Sequence, residues 1–135
     1  MTTQKKRKEI LYVQEGHRHT SPIPQGVKAN GFIFLSAVRG VDDTTQKPVA
    51  DTEQQARLLF ENMKRALAAG GATLQDVVKI AVYMMDLQGD RPIFNKIWAE
   101  YFGEDTPARF AVQVLDMGGK DDNSKFLADV TALAP

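Results

Sequence analysis

The sequence contains no cysteine. That excludes disulfides, thiolate metal sites and a thiol nucleophile. Neither sign of charge is in excess, with 17 Lys and Arg against 17 Asp and Glu. A dedicated nucleic-acid binder normally carries a basic surplus, so this balance argues against one. No apolar run approaches the ~20 residues that a membrane span requires. The basic start, Lys5-Lys6-Arg7-Lys8, has no apolar stretch behind it and is not a secretory signal. A cytoplasmic protein is the default expectation. G-x-G-x-x-G, P-loop, H-E-x-x-H and G-x-S-x-G motifs are all missing. The two histidines, His17 and His19, sit at i and i+2 in a proline-bearing loop without a third ligand nearby. They do not make a metal site, and no metal or cofactor is expected.

What is present suits one domain with a real core: 135 residues, 43% hydrophobic and 25% charged. Residues 1–9 read as a solvated basic tail and residues 10–135 as the domain. Ile10 to Val13 is a short strand, and Glu15 to Gln25, with Pro22 and Pro24, is an extended loop. Gly26 to Ala29 and Phe32 to Val38 flank Asn30-Gly31, the strongest short hairpin signal available. Asp51 begins a helix whose buried stripe is Ala56, Leu59, Phe60, Met63 and Leu67, and Gly70-Gly71 ends it. Val77 to Met85 is a strand, with Val78, Ile80, Val82 and Met84 on one face. Asp90, ahead of Arg91-Pro92, reads as the N-cap of a second helix. Phe94, Ile97, Trp98 and Tyr101 form its buried side, and Gly103 stops it. A strand from Pro107, a loop from Asp116 to Ser124 and a last strand from Lys125 to Ala134 complete the order β-β-β-α-β-α-β-β. The fold class is α/β in the α+β sense, a six-stranded mixed sheet with both helices on one face. The other face still carries Leu115, Leu127 and Leu133, which predicts burial against another copy of the chain.

Pro107 lacks a backbone N–H and holds Thr106 extended, so a strand starts there. Phe110, Val112 and Val114 share one face, and Arg109, Ala111, Gln113 and Leu115 share the other. A guanidinium in such a strand is costly to bury without a partner. Arg109 is either solvated or paired with a carboxylate, or it is the fork that holds a ligand carboxylate. The small Ala111 leaves space beside it. Asp129, mid-strand between Leu127 and Thr131, also needs a partner, and Arg109 is an obvious one. Paired, both are structural. Sharing a cavity, the arginine holds a ligand while the carboxylate positions water or carries a proton. Ser36 follows four apolar residues and reads first as a hydroxyl satisfied by the backbone.

Several segments together carry a resemblance: Pro22-Ile23-Pro24-Gln25-Gly26-Val27, Gly31 to Ser36, the helix Gln54 to Gly71 with Asn62, Val78 to Leu87, Phe94-Asn95 and Pro107-Ala108-Arg109. From about Pro22 to Leu133 the chain resembles the RidA family, also called YjgF/YER057c/UK114, known for enamine and imine deaminases. The resemblance implies a chorismate-mutase-like fold and a barrel-like homotrimer with three clefts between subunits. It implies that Arg109 grips a substrate carboxylate and that Ser36 and Ala37 line the cleft. Asn95 matches an asparagine near the cleft, and backbone groups near Ala111 face the reacting nitrogen and water. Three departures stand out. Ile23 occupies the place of a tyrosine, Ser36-Ala37-Val38 replaces Ser-Gly-Gln, and Asp129 aligns with a glutamate one methylene longer. The more apolar wall suits a larger or ring-derived substrate.

The function so implied is hydrolytic deamination of small 2-imino and 2-enamino carboxylic acids, releasing ammonia and a keto acid, with Arg109 and Asp129 as the catalytic pair. Two alternatives are a non-catalytic module that binds a small carboxylate and a pathway-specific deaminase acting on an aminomuconate-like acid. The expected partners are the carboxylate-bearing substrate and two further copies of the chain, without nucleic acid or membrane.

Overall fold

The Asp51 carboxylate accepts a hydrogen bond from the Gln54 N–H at 3.0 Å and opens α1, Thr52–Ala69. The computed structural model describes residues 7–20, 22–118 and 123–135. Most of the tail expected over residues 1–9 lies outside them, as do residues 119–122 of the expected loop. The stripe Ala56, Leu59, Phe60, Met63 and Leu67 is fully buried, as the helical spacing predicts. The second helix, α2, spans Leu87–Phe102 and starts earlier than expected. Its cap is Asp86, which accepts from the Gly89 N–H at 3.0 Å, and not Asp90. Gln113 decides between them: its side-chain oxygen takes the Leu87 N–H at 3.1 Å and holds the extra turn. Phe94, Ile97, Trp98 and Phe102 are buried, and Tyr101 stacks on Phe60 with ring centroids 4.8 Å apart.

Both helices pack on one face of a seven-stranded sheet. The strands are β1 (Glu9–Leu11), β2 (Gly26–Ala29), β3 (Phe32–Leu35), β4 (Val38–Arg39), β5 (Val77–Met84), β6 (Ala108–Gln113) and β7 (Phe126–Leu133). The order is β1-β2-β3-β7-β5-β6, with β4 also on β7, and β6 runs parallel to β5 at the edge. Asn30 and Gly31, both at positive φ, turn the β2–β3 hairpin as their sequence predicts. The seventh strand arises because the run expected from Phe32 to Val38 is broken. Phe34 pairs with Thr131 but Val38 pairs with Ala128, so one extra residue sits on this side at Ser36-Ala37, a β-bulge. A second irregularity, between Val77 and Lys79, turns Val77 into the core and leaves Val78 39% exposed. That corrects the expected face of Val78.

Buried polar side chains tie the layers together. The Asn62 amide donates to the Arg39 and Val41 carbonyls at 3.0 Å each, joining α1 to β4 and the loop after it. Gly40 passes so close to α1 that a Cβ there would lie 2.0 Å from the Gln55 carbonyl oxygen. The loop before β2 is pinned by two histidines: His17 Nδ1 accepts from the Arg39 N–H at 3.1 Å, and His19 Nε2 meets the Ala37 carbonyl at 2.8 Å. Facing a carbonyl, that Nε2 must carry the proton.

The helix-free face is apolar where water would meet a monomer. Phe32, Phe34, Phe110, Val112 and Leu133 are each at least 39% exposed there. Leu115, expected on a sheet face, instead lies past the end of β6 and is 94% exposed. Among the described residues, no helix is long and apolar enough to cross a membrane.

Asn62→Ala leaves two carbonyls without their buried donor, and each such loss costs about 1–3 kcal/mol. Urea unfolding of that variant is expected to show a midpoint lowered by about 2 kcal/mol of stability with the slope retained. Burial holds the His19 imidazole below its ordinary 6.5, against the Ala37 carbonyl, which raises it, and with Arg39, which lowers it further. The unfolded chain therefore takes up the proton more readily. His19's contribution to stability is complete above about pH 6.5 and is lost as the pH falls below it. Unfolding midpoints are expected to drop between pH 7 and pH 5, and His19→Gln, which keeps a donor for Ala37, is expected to flatten the drop.

Candidate functional site

Arg109 is the second residue of β6 and pairs with Ile80, which is fully buried on the helix side of the sheet. Its side chain accordingly runs under α2. The guanidinium carbon lies 4.9 Å from the Trp98 ring centroid and 5.8 Å from that of Phe94. Nη2 donates to Asn95 Oδ1 at 2.6 Å. Desolvation lowers the pKa of Arg109, and the positive charge of Arg91 adds to it. Among the described residues no carboxylate pairs with Arg109. A charge half out of water, held by a neutral amide and two aromatic faces, keeps most of its five donors for something else. Trp98 is itself fixed by its indole N–H, which donates to Thr106 Oγ1 at 2.8 Å.

Ala111 lies two residues on, half-buried on the same side. Because the Val114 N–H bonds to the Met84 carbonyl, alternation along the strand turns the backbone groups of Ala111 toward the open edge of β6. A donor and an acceptor therefore stand on the side of Arg109, at a strand edge that no other strand among the described residues covers.

The other residues singled out in the sequence lie elsewhere. Asp129 pairs with Ala81, which pairs with Phe110, so Asp129 belongs to the helix-free face and Arg109 to the opposite one. The ion pair weighed in the sequence is not made within the chain. Asp129 flanks the bulge at Ser36-Ala37, since it sits between Ala128, opposite Val38, and Thr131, opposite Phe34. There the Ser36 hydroxyl donates to the Pro24 carbonyl at 2.8 Å, the backbone-satisfied serine of the simple reading. Ile23 is 51% exposed in the loop that covers Ser36. The residues thus form two groups: Arg109, Asn95 and Ala111 at the β6 edge, and Ser36, Ala37, Ile23 and Asp129 around the bulge. The aromatic bed was the part missed in the sequence. Its signal was present, since Trp98 and Phe94 lie one turn apart on the helix that carries Asn95. Among the described residues no three of His, Asp and Glu gather closely enough to hold a metal ion.

The family described as Endoribonuclease L-PSP matches residues 18–124. A RutC family protein of Pyrococcus horikoshii is 38% identical over 108 residues, 79% of this chain and 85% of that protein. The 3-aminoacrylate deaminase RutC of Acinetobacter baylyi is 32% identical over 108 residues, 79% of this chain and 85% of that one. The crystal structure of Escherichia coli TdcF with bound serine superposes with a TM-score of 0.84 at 28% identity, covering 94% of this chain and 99% of that one. Matched over most of its length in sequence and in fold, the chain belongs to the Endoribonuclease L-PSP family, the RidA or YjgF family that Pro107-Ala108-Arg109 resembles.

Proposed function

We propose that the protein is a hydrolytic deaminase of 2-imino and 2-enamino carboxylic acids, acting at clefts between the subunits of a homotrimer. The carrying observation is the uncompensated guanidinium of Arg109, half-desolvated on Trp98 and Phe94 and steered by Asn95. A ligand carboxylate satisfies such a fork with two parallel hydrogen bonds. Deaminase names among the relatives, and the serine bound in TdcF, agree with a small amino-acid-derived ligand.

Two half-sites on different parts of one protomer call for a second copy. In this reading the bulge of one subunit docks against the β6 edge of the next, a head-to-tail contact that closes into a ring. Ser36, Ala37, Ile23 and Asp129 of one copy then line the cleft opened by Arg109, Asn95 and Ala111 of its neighbour. The exposed phenylalanines of the helix-free face supply apolar surface for the association. Arg109 fixes the substrate carboxylate, the enamine tautomerises to the imine, and water adds to the imine carbon. The C–N bond of the resulting carbinolamine breaks, leaving a keto acid and ammonia. Backbone groups of Ala111 and the carboxylate of Asp129 orient the water and relay the proton. The imine is already electrophilic, so positioning outweighs strong acid–base groups.

A binding-only protein is the second reading. It is favoured by the placement of Asp129 away from Arg109 within the chain. It differs in showing saturable keto-acid binding without turnover.

With imines generated in situ by an amino-acid oxidase, Arg109→Ala is expected to lose at least a hundredfold in ammonia release. An undiminished rate would end the proposal. Phe110→Glu puts a charge on the apolar face. Sedimentation is expected to show a trimer for the native chain and smaller species for this variant, with activity lost in parallel.

A further inference from the structure

Arg91, Asn95 and Trp98 follow one another at i, i+4 and i+7 on α2, so they share one stripe of the helix. Two of the three touch Arg109 directly, Asn95 through its hydrogen bond and Trp98 through its ring face. Arg91 is the next position along that stripe, one turn toward the start of the helix, and its side chain is exposed. The Asp86 carboxylate caps the Gly89 N–H. Among the described residues Arg91 has no ion pair. Arg91 therefore stands one turn along the helix from the residue that steers Arg109, near enough for its charge to act on that guanidinium. The arrangement repels in the free protein, so its return comes only when something doubly negative arrives.

We infer that Arg91 sets the substrate class of this site, holding the distal carboxylate of a 2-imino or 2-enamino dicarboxylic acid while Arg109 holds the carboxylate beside the reacting carbon. The inference rests on the deaminase reading for the word substrate, and on the cleft alone for the binding of a dianion. Arg91 lies about 6 Å along the helix axis from Asn95, the residue bonded to Arg109, so a second anionic group on a ligand held by Arg109 has a cation one turn away.

The test compares imines made in situ from aspartate, by aspartate oxidase, and from leucine, by a general amino-acid oxidase, on native protein and on Arg91→Gln. Glutamine keeps the helix and removes the charge, and matching unfolding midpoints check that the fold is retained. The native protein is expected to favour the dicarboxylate imine in kcat/KM by about tenfold or more, and Arg91→Gln to lose that preference through KM, since a charge-assisted contact of this kind is worth about tenfold. Arg91→Lys is expected to restore part of it. A native protein without preference, or a variant that slows both imines alike, overturns the inference. Calorimetry with 2-oxoglutarate and pyruvate separates this from the deaminase reading. Tighter binding of the dianion, abolished by Arg91→Gln, in a protein that turns over neither imine would refute catalysis and sustain the role of Arg91. Equal binding of both keto acids would refute the role of Arg91 alone.

Discussion

The structure is governed by a mismatch between its sheet and its helices. Seven strands offer two apolar faces, and two helices cover one of them. The covered side holds the hydrophobic core, down to fully buried Phe60, Phe94 and Phe126. On the bare side the phenylalanines at 32, 34 and 110 stand in water unless a second molecule excludes it. The same mismatch distributes the polar residues. Arg109 is drawn under the second helix at one edge, while Asp129 and the bulge are left on the bare face. The two groups of polar residues thus lie on opposite faces of one sheet.

Much of this was written in local sequence rules. Asn30-Gly31 turned where its φ preference requires, the α1 stripe buried as spaced, and Pro107 opened a strand beginning at Ala108. The failures in the strands share one cause, which is that periodicity cannot see a pairing register. A bulge leaves the alternation of residue types intact and still moves side chains to the other face, as at Val78 and at Ser36-Ala37. Asp86 and Asp90 satisfy the same capping rule, and only the distant Gln113 selects between them. Arg109 and Asp129 look like natural partners until strand alignment sets them back to back. Arg109, Ser36 and Asp129 stood out from their strands, and Ile23, Ala37, Asn95 and Ala111 from the family resemblance. Their division into two groups came only from the fold.

The environment of Arg109 explains how a strand arginine can be kept without an acid. Aromatic faces replace part of the lost hydration, and one neutral acceptor orients the fork without consuming its charge. A carboxylate in the position of Asn95 would hold the guanidinium more firmly and leave less of it for a ligand. The loop over Ser36 shows the complementary strategy, since its polar atoms are spent on the chain's own backbone. Around Arg109 the charge is left available, and around Ser36 the polar atoms are already satisfied.

The sequence holds a single tryptophan, and its ring lies directly beneath that guanidinium, with one edge tethered to Thr106. Indole emission shifts with the field across the ring, so neutralising the cation above it would register as a change in fluorescence. Binding of an anion to Arg109 could then be followed optically in the native chain, without dye or label.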